Sequence, residues 1–134
     1  MKPNQILFTA AILGAIAVIL GAFAAHFLKE NLDEKHLEIF KVGVSYQFYH
    51  VPALLACGIL GKLNINSKFL GYAALCFIIG TLFFSGSLYL LAIRDIAGLS
   101  SIASILGPIT PIGGVFFIIG WVFLAISALN SSNK

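Results

Sequence analysis

Four long apolar runs, separated by polar stretches, organise this chain. The first extends from about Gln5 to Leu28, long enough to cross a bilayer, for which about 20 apolar residues suffice. A charged stretch from Lys29 to Lys41 follows. Asn31 and Glu34 have the spacing of a capping box, which places the start of a second helix near Leu32. That helix continues to Gly61, and its expected membrane part is 40–61. Lys62 to Lys68, with Asn64, Asn66 and Ser67, reads as a tight turn. A third helix is expected over 69–93. Gly98, Gly107, Pro108 and Pro111 then break regularity, so the link is expected to be a short surface helix and an irregular lead into a fourth span over 111–129.

Small residues recur on one face of the first helix, at Ala10, Gly14, Ala17, Gly21 and Ala25. Faces of this kind let helix backbones approach closely in lipid. The same reading leads to an expected homo-oligomer, because an exposed small-residue face invites self-packing. With four antiparallel spans, both termini lie on one side. Lys2, Lys62, Lys68 and Lys134 stand on that side, and Lys29, Lys35, Lys41 and Arg94 on the other. The positive-inside count is tied. All five acids lie opposite the termini, and the expectation is cytoplasmic termini.

Composition agrees with this pattern. The chain has 134 residues, 60% hydrophobic and 10% charged, whereas soluble domains carry about 25% charged residues. An all-α integral membrane four-helix bundle is the expected fold, as one transmembrane domain in the lipid bilayer. The basic residues are scattered, which excludes a nucleic-acid face. Cys57 and Cys76 have no metal-ligand spacing and read as small hydrophobes. The three histidines lack the close helical spacing of zinc motifs, so no metal is expected. No nucleophile-elbow, P-loop or Rossmann motif is present, so neither an enzyme nor a cofactor is expected.

The departures from apolar character define a candidate site. Gln47 and His50 interrupt the second run, three residues apart on one helical face, with Tyr46 beside His50. Such groups inside a membrane face the bundle interior, a wet pocket or each other. Helix parity puts His26, Tyr46, Gln47, His50, Ser85, Ser87, Tyr89, Arg94 and Thr110 in one membrane half, and Cys57, Cys76 and Trp121 in the other. Each residue also has a plainer role. Gln47 and His50 would fix helix register, the tyrosines would anchor at the interface, and the serines would bond their own helix. His36 reads as a solvated loop residue, and Arg94-Asp95 as a boundary ion pair. The functional alternatives are a pocket lined by the eight residues other than Arg94, binding a lipid, a small molecule or a partner subunit, and a small proton-linked transporter or permease with His50 titrating.

Gly21-Ala22-Phe23-Ala24-Ala25-His26 and the run Phe40 to His50 resemble the signature of the domain of unknown function 423 family. Ser85-Gly86-Ser87-Leu88-Tyr89, Gly107 to Gly114 and Gly120-Trp121 resemble its second half. Ala24 stands where that pattern has glycine. The resemblance implies a small multi-span bacterial protein of the inner membrane, and it implies no activity.

Overall fold

A computed structural model of the chain describes residues 1–63, 65, 68–99, 101 and 103–130. Asn64, Asn66 and Ser67 of the expected turn, Ile102 of the link and Lys134 of the tail lie outside the described residues. Among the described residues, four long helices make up the fold. Helix α1 runs Pro3–Phe23 as α-helix, passes through a π turn at Ala24–Leu28 and closes with Lys29–Asn31. Helix α2 is Glu34–Lys62, helix α3 extends over Lys68–Ile93 with a π turn at Thr81–Ser85, and helix α4 is Ala103–Asn130.

Three of the four, α1, α3 and α4, are long and apolar enough to cross a membrane. Helix α2 is as long, but it carries Gln47 and His50, and both are buried. Its polar groups therefore face neighbouring helices. The outer surface is apolar instead: Phe8, Ile12, Ile19, Tyr49, Leu82, Ile118 and Val122 are all exposed. A belt of this extent belongs in lipid, since soluble proteins rarely expose contiguous apolar area beyond a few hundred Å². The protein is an integral membrane helix bundle.

Each helix packs antiparallel on the next in the chain. Gly14 and Gly21 of α1 face Val51 and Val44 of α2. Gly43 of α2 lies under Tyr89 and Leu88 of α3, while His50, two turns on, meets Phe77. Between α3 and α4 the fit is reciprocal: Gly80 receives the Phe117 ring, and Gly120 receives the Phe77 ring. Closest of all is Gly113, against the Phe83–Phe84 backbone. The small-residue stripe of α1 is thus used inside the chain, with Ala10 and Ala17 fully buried and only Ala25 of the expected stripe exposed. It is not a free face for a second copy. One core joins all four helices through Ile6, Ala53, Leu54, Cys57, Phe77 and Phe117, and a second, at the charged end, joins Leu28, Leu37, Phe40 and Ala92. Both cysteines are free and buried.

Three local expectations are corrected. Asp33, not Asn31, caps α2: its side chain accepts from the His36 N–H at 3.0 Å. Asn31 is still bound to α1, donating from Nδ2 to the Phe27 carbonyl at 2.7 Å. Where the surface helix of the link is expected to begin, residues 94–98 form a turn instead, with Gly98 at φ +68°. Helix α4 starts at Ala103, eight residues before the expected Pro111, and contains both Pro108 and Pro111. Proline removes one backbone donor. Both prolines lie in the first third of the 28-residue helix, and the helix runs through them.

The Asp33 cap makes the α1–α2 corner acid-sensitive. The His36 backbone N–H, and then its side chain, hold the Asp33 carboxyl below its ordinary value of 3.8. A carboxyl depressed in the folded state contributes stability above its unfolded value and loses it as pH falls through the folded one. Asp33→Ala should therefore lower the thermal midpoint in detergent at neutral pH. That difference should shrink as pH falls below about 4.

Candidate functional site

Gln47 lies on the α2 face that packs between α1 and α3, and is 2% exposed. Its Nε2 donates to the Leu13 carbonyl of α1 at 2.7 Å, and its Oε1 accepts from the Tyr89 hydroxyl of α3 at 2.8 Å. One amide thereby ties three helices. Tyr89 also rests on the Phe40 ring, at 4.8 Å between centroids. Ser85, one turn before Tyr89 at the end of the α3 π turn, is completely buried and close to the Tyr89 hydroxyl. Its Oγ makes no hydrogen bond among the described residues.

A second pair links α3 to α4. Ser87 Oγ and Thr110 Oγ1 are 2.7 Å apart. Ser87 also reaches the Phe84 carbonyl at 2.9 Å. Each hydroxyl has one proton, so Thr110 donating to Ser87 and Ser87 donating to Phe84 uses the two shorter contacts.

His50 forms a third group, set among aromatic rings. It stacks on Phe117 with centroids 3.5 Å apart and planes 6° from parallel. Phe77 and Trp121 stand at 5.7 and 6.1 Å. Its Nδ1 donates to the Tyr46 carbonyl one turn earlier, at 2.7 Å, since a carbonyl only accepts. The Tyr46 ring covers Phe84 at 4.4 Å and keeps 39% of its surface exposed.

Seven of the eight expected site residues thus lie along connected faces of α2, α3 and α4. His26 is the exception. It sits on the π turn of α1, is exposed, and makes no hydrogen bond or ion pair among the described residues. Helix parity gives depth but not rotation, and the extra residue of the π turn changes the rotation. Nor is the separation of polar and dry halves clean: Trp121, expected in the dry half, reaches the His50 ring. The sequence reading also missed the Leu13 carbonyl and the rings of Phe77, Phe84 and Phe117. The spacing of Phe117 and Trp121, one helical turn apart, was the available signal for the aromatic setting.

His36 is not a solvated loop residue either. Its side chain is only 14% exposed, with Nδ1 2.6 Å from Asp33 Oδ2 and Nε2 3.8 Å from Asp95 Oδ2. The boundary ion pair is present, with Arg94 Nε 3.5 Å from Asp95 Oδ1.

Known proteins support the membrane reading. No solved structure matches the chain. A UPF0382 membrane protein of Staphylococcus saprophyticus is 45% identical over 120 residues, covering 86% of this chain and 92% of the relative. The UPF0382 membrane protein YwdK of Bacillus subtilis is 39% identical, with 88% and 94% covered. The UPF0382 inner membrane protein YgdD of Escherichia coli is 33% identical over 134 residues, all of this chain and 96% of the relative. The family described as "Protein of unknown function (DUF423)" matches residues 20–114, which include every polar residue of the three groups described above. By that match and those relatives, the chain belongs to the DUF423 family of membrane proteins of unknown function.

Proposed function

We propose that this is a non-enzymatic, multi-pass protein of the cell inner membrane that binds a small hydrogen-bonding ligand, a lipid headgroup or a partner subunit at the polar seam of α2, α3 and α4. All four helices cross the bilayer in this reading, with the termini cytoplasmic. The inner-membrane assignment draws support from the name of the Escherichia coli relative. The observation that carries the binding site is Ser85: a fully buried hydroxyl that lies close to the Tyr89 hydroxyl and makes no well-formed hydrogen bond among the described residues, beside the Gln47–Tyr89 bond and closing a π turn. An unpaired buried hydroxyl costs about 1–3 kcal/mol. Single π turns inside α-helices occur frequently at functional sites. A ligand or partner offering one complementary group would recover that loss.

Native mass spectrometry of detergent-purified wild type, Ser85→Ala and His50→Ala tests this reading. The expected result is a bound species on the wild type that is missing from folded Ser85→Ala. A species retained at equal occupancy by both variants would remove the site from the seam. So would an empty wild type after purification in native lipid nanodiscs. The same spectra count subunits. Self-association, which we also propose, would have to use the outward face of α1 around Phe8, Ile12 and Ile19. The transporter alternative draws less support, because Glu30, Asp33, Glu34, Glu38 and Asp95, all five acids, are exposed and none lies in the seam.

A further inference from the structure

The charged end of the bundle holds a second arrangement that the polar seam does not use. His36, in the first turn of α2, stands between two carboxylates from different parts of the chain. Asp33 precedes it on the α1–α2 corner. Asp95 belongs to the turn between α3 and α4 and is itself paired with Arg94 at 3.5 Å. Among the described residues, these are the charged groups within ion-pair reach of His36, directly or through Asp95.

The two imidazole nitrogens are in different situations. Nδ1 is 2.6 Å from Asp33 Oδ2, so it carries a proton and donates. Nε2 is buried, has no hydrogen-bond partner among the described residues, and is 3.8 Å from Asp95 Oδ2. In neutral imidazole with Nδ1 protonated, Nε2 is a lone pair. A buried lone pair pointed at a carboxylate is repulsive, and it leaves an acceptor unpaired. In imidazolium both nitrogens carry protons; the Asp33 contact is then a charge-assisted hydrogen bond, and the 3.8 Å Asp95 contact is an attractive ion pair.

A groove of about 330 Å³ lies between the two segments that His36 joins. Phe23, Phe27 and Asn31 line it from α1, and Ile93, Ile96 and Ala97 from the end of α3 and its turn. Asn31 is two residues from Asp33, and Ile96 adjoins Asp95.

We propose that His36 is a pH-dependent latch: its imidazolium clamps Asp33 to Asp95 and holds this groove narrow, and its deprotonation frees the α3–α4 turn from the α1–α2 corner. Histidine is the side chain whose ordinary titration falls between about pH 5 and 8. The clamp needs both carboxylates ionised, so it operates below the histidine range and above the carboxylate range.

The test uses the full chain in nanodiscs, with spin labels at Lys35→Cys and Ala97→Cys, both exposed positions. Cys57 and Cys76 are buried and stay unlabelled under native conditions. Electron-spin distance distributions are recorded at about pH 5.5 and about pH 8.5. The expected distribution for otherwise wild-type protein is narrow at the lower pH and roughly twofold broader at the higher. His36→Gln and Asp95→Asn should each give the broad distribution at both values. An unchanged width in the wild-type background would overturn the proposal, as would a pH response that survives either substitution.

Discussion

Gly113→Ala should break the contact between α3 and α4 and destabilise the protein by about 3 kcal/mol, or prevent folding. A Cβ at this position would fall on the backbone of Phe83 and Phe84, inside van der Waals distance of Phe84 N, Phe84 Cα and Phe83 C. Backbone cannot swing aside as a side chain can, so one helix would have to move away. Moving it would also draw Thr110 from Ser87, which are 2.7 Å apart one turn away. Gly86→Ala is the matched control. It is a neighbouring helical glycine on α3, and nothing lies within 4 Å of its added Cβ. In that position alanine should be neutral, or stabilising by up to about 1 kcal/mol through helix propensity. Unfolding in mixed micelles with rising SDS measures both. Equal midpoints for Gly113→Ala and wild type would mean that the helices do not cross this closely.

Gln47→Leu should destabilise by about 2 kcal/mol, more than the average interhelical bond in a membrane, which is nearer 0.6. The excess comes from what is left behind. The Tyr89 hydroxyl loses its acceptor in a buried setting, and the Leu13 carbonyl loses a donor. Tyr89→Phe removes only one of these bonds and should cost about 1 kcal/mol. Combining the two changes removes the stranded hydroxyl, so the double variant should be less destabilised than the sum of the singles. Strict additivity would mean that the Gln47–Tyr89 bond contributes nothing. The same SDS titration reads this cycle.

Much of the architecture was legible in the chain because lipid imposes a simple rule: long apolar runs become helices. The runs around Ala17, Ile79 and Ile118 gave α1, α3 and α4 directly. Gln47 and His50 were legible as interior groups, since their exposure to hydrocarbon is costly. What could not be read was rotation about each helix axis. His26 was assigned by depth to the polar group, and it faces outward. Pro108 and Pro111 were read as the end of irregular backbone, yet α4 runs through them, because propensity is a weak prior once tertiary packing fixes a helix. The reading of His36 as solvated failed for a related reason. Asp95 lies far along the chain, and only the folded arrangement of α2 and the α3–α4 turn brings it near.

The π turns give α1 and α3 a property that a uniform helix lacks. Each inserts one residue, and one residue is about 100° of rotation. The stripe before Ala24 and the stripe after Leu28 are therefore out of phase, as are those before Thr81 and after Ser85. A single rod then acts as two half-length keys cut at different angles. In α3 the first half turns Phe77 and Gly80 to α4, and the second turns Leu88 and Tyr89 to α2. Deleting one residue from 81–85 would restore a regular rod and bring the two keys into phase. It would then be impossible for the aromatic core and the Gln47 bond to form on the same α3.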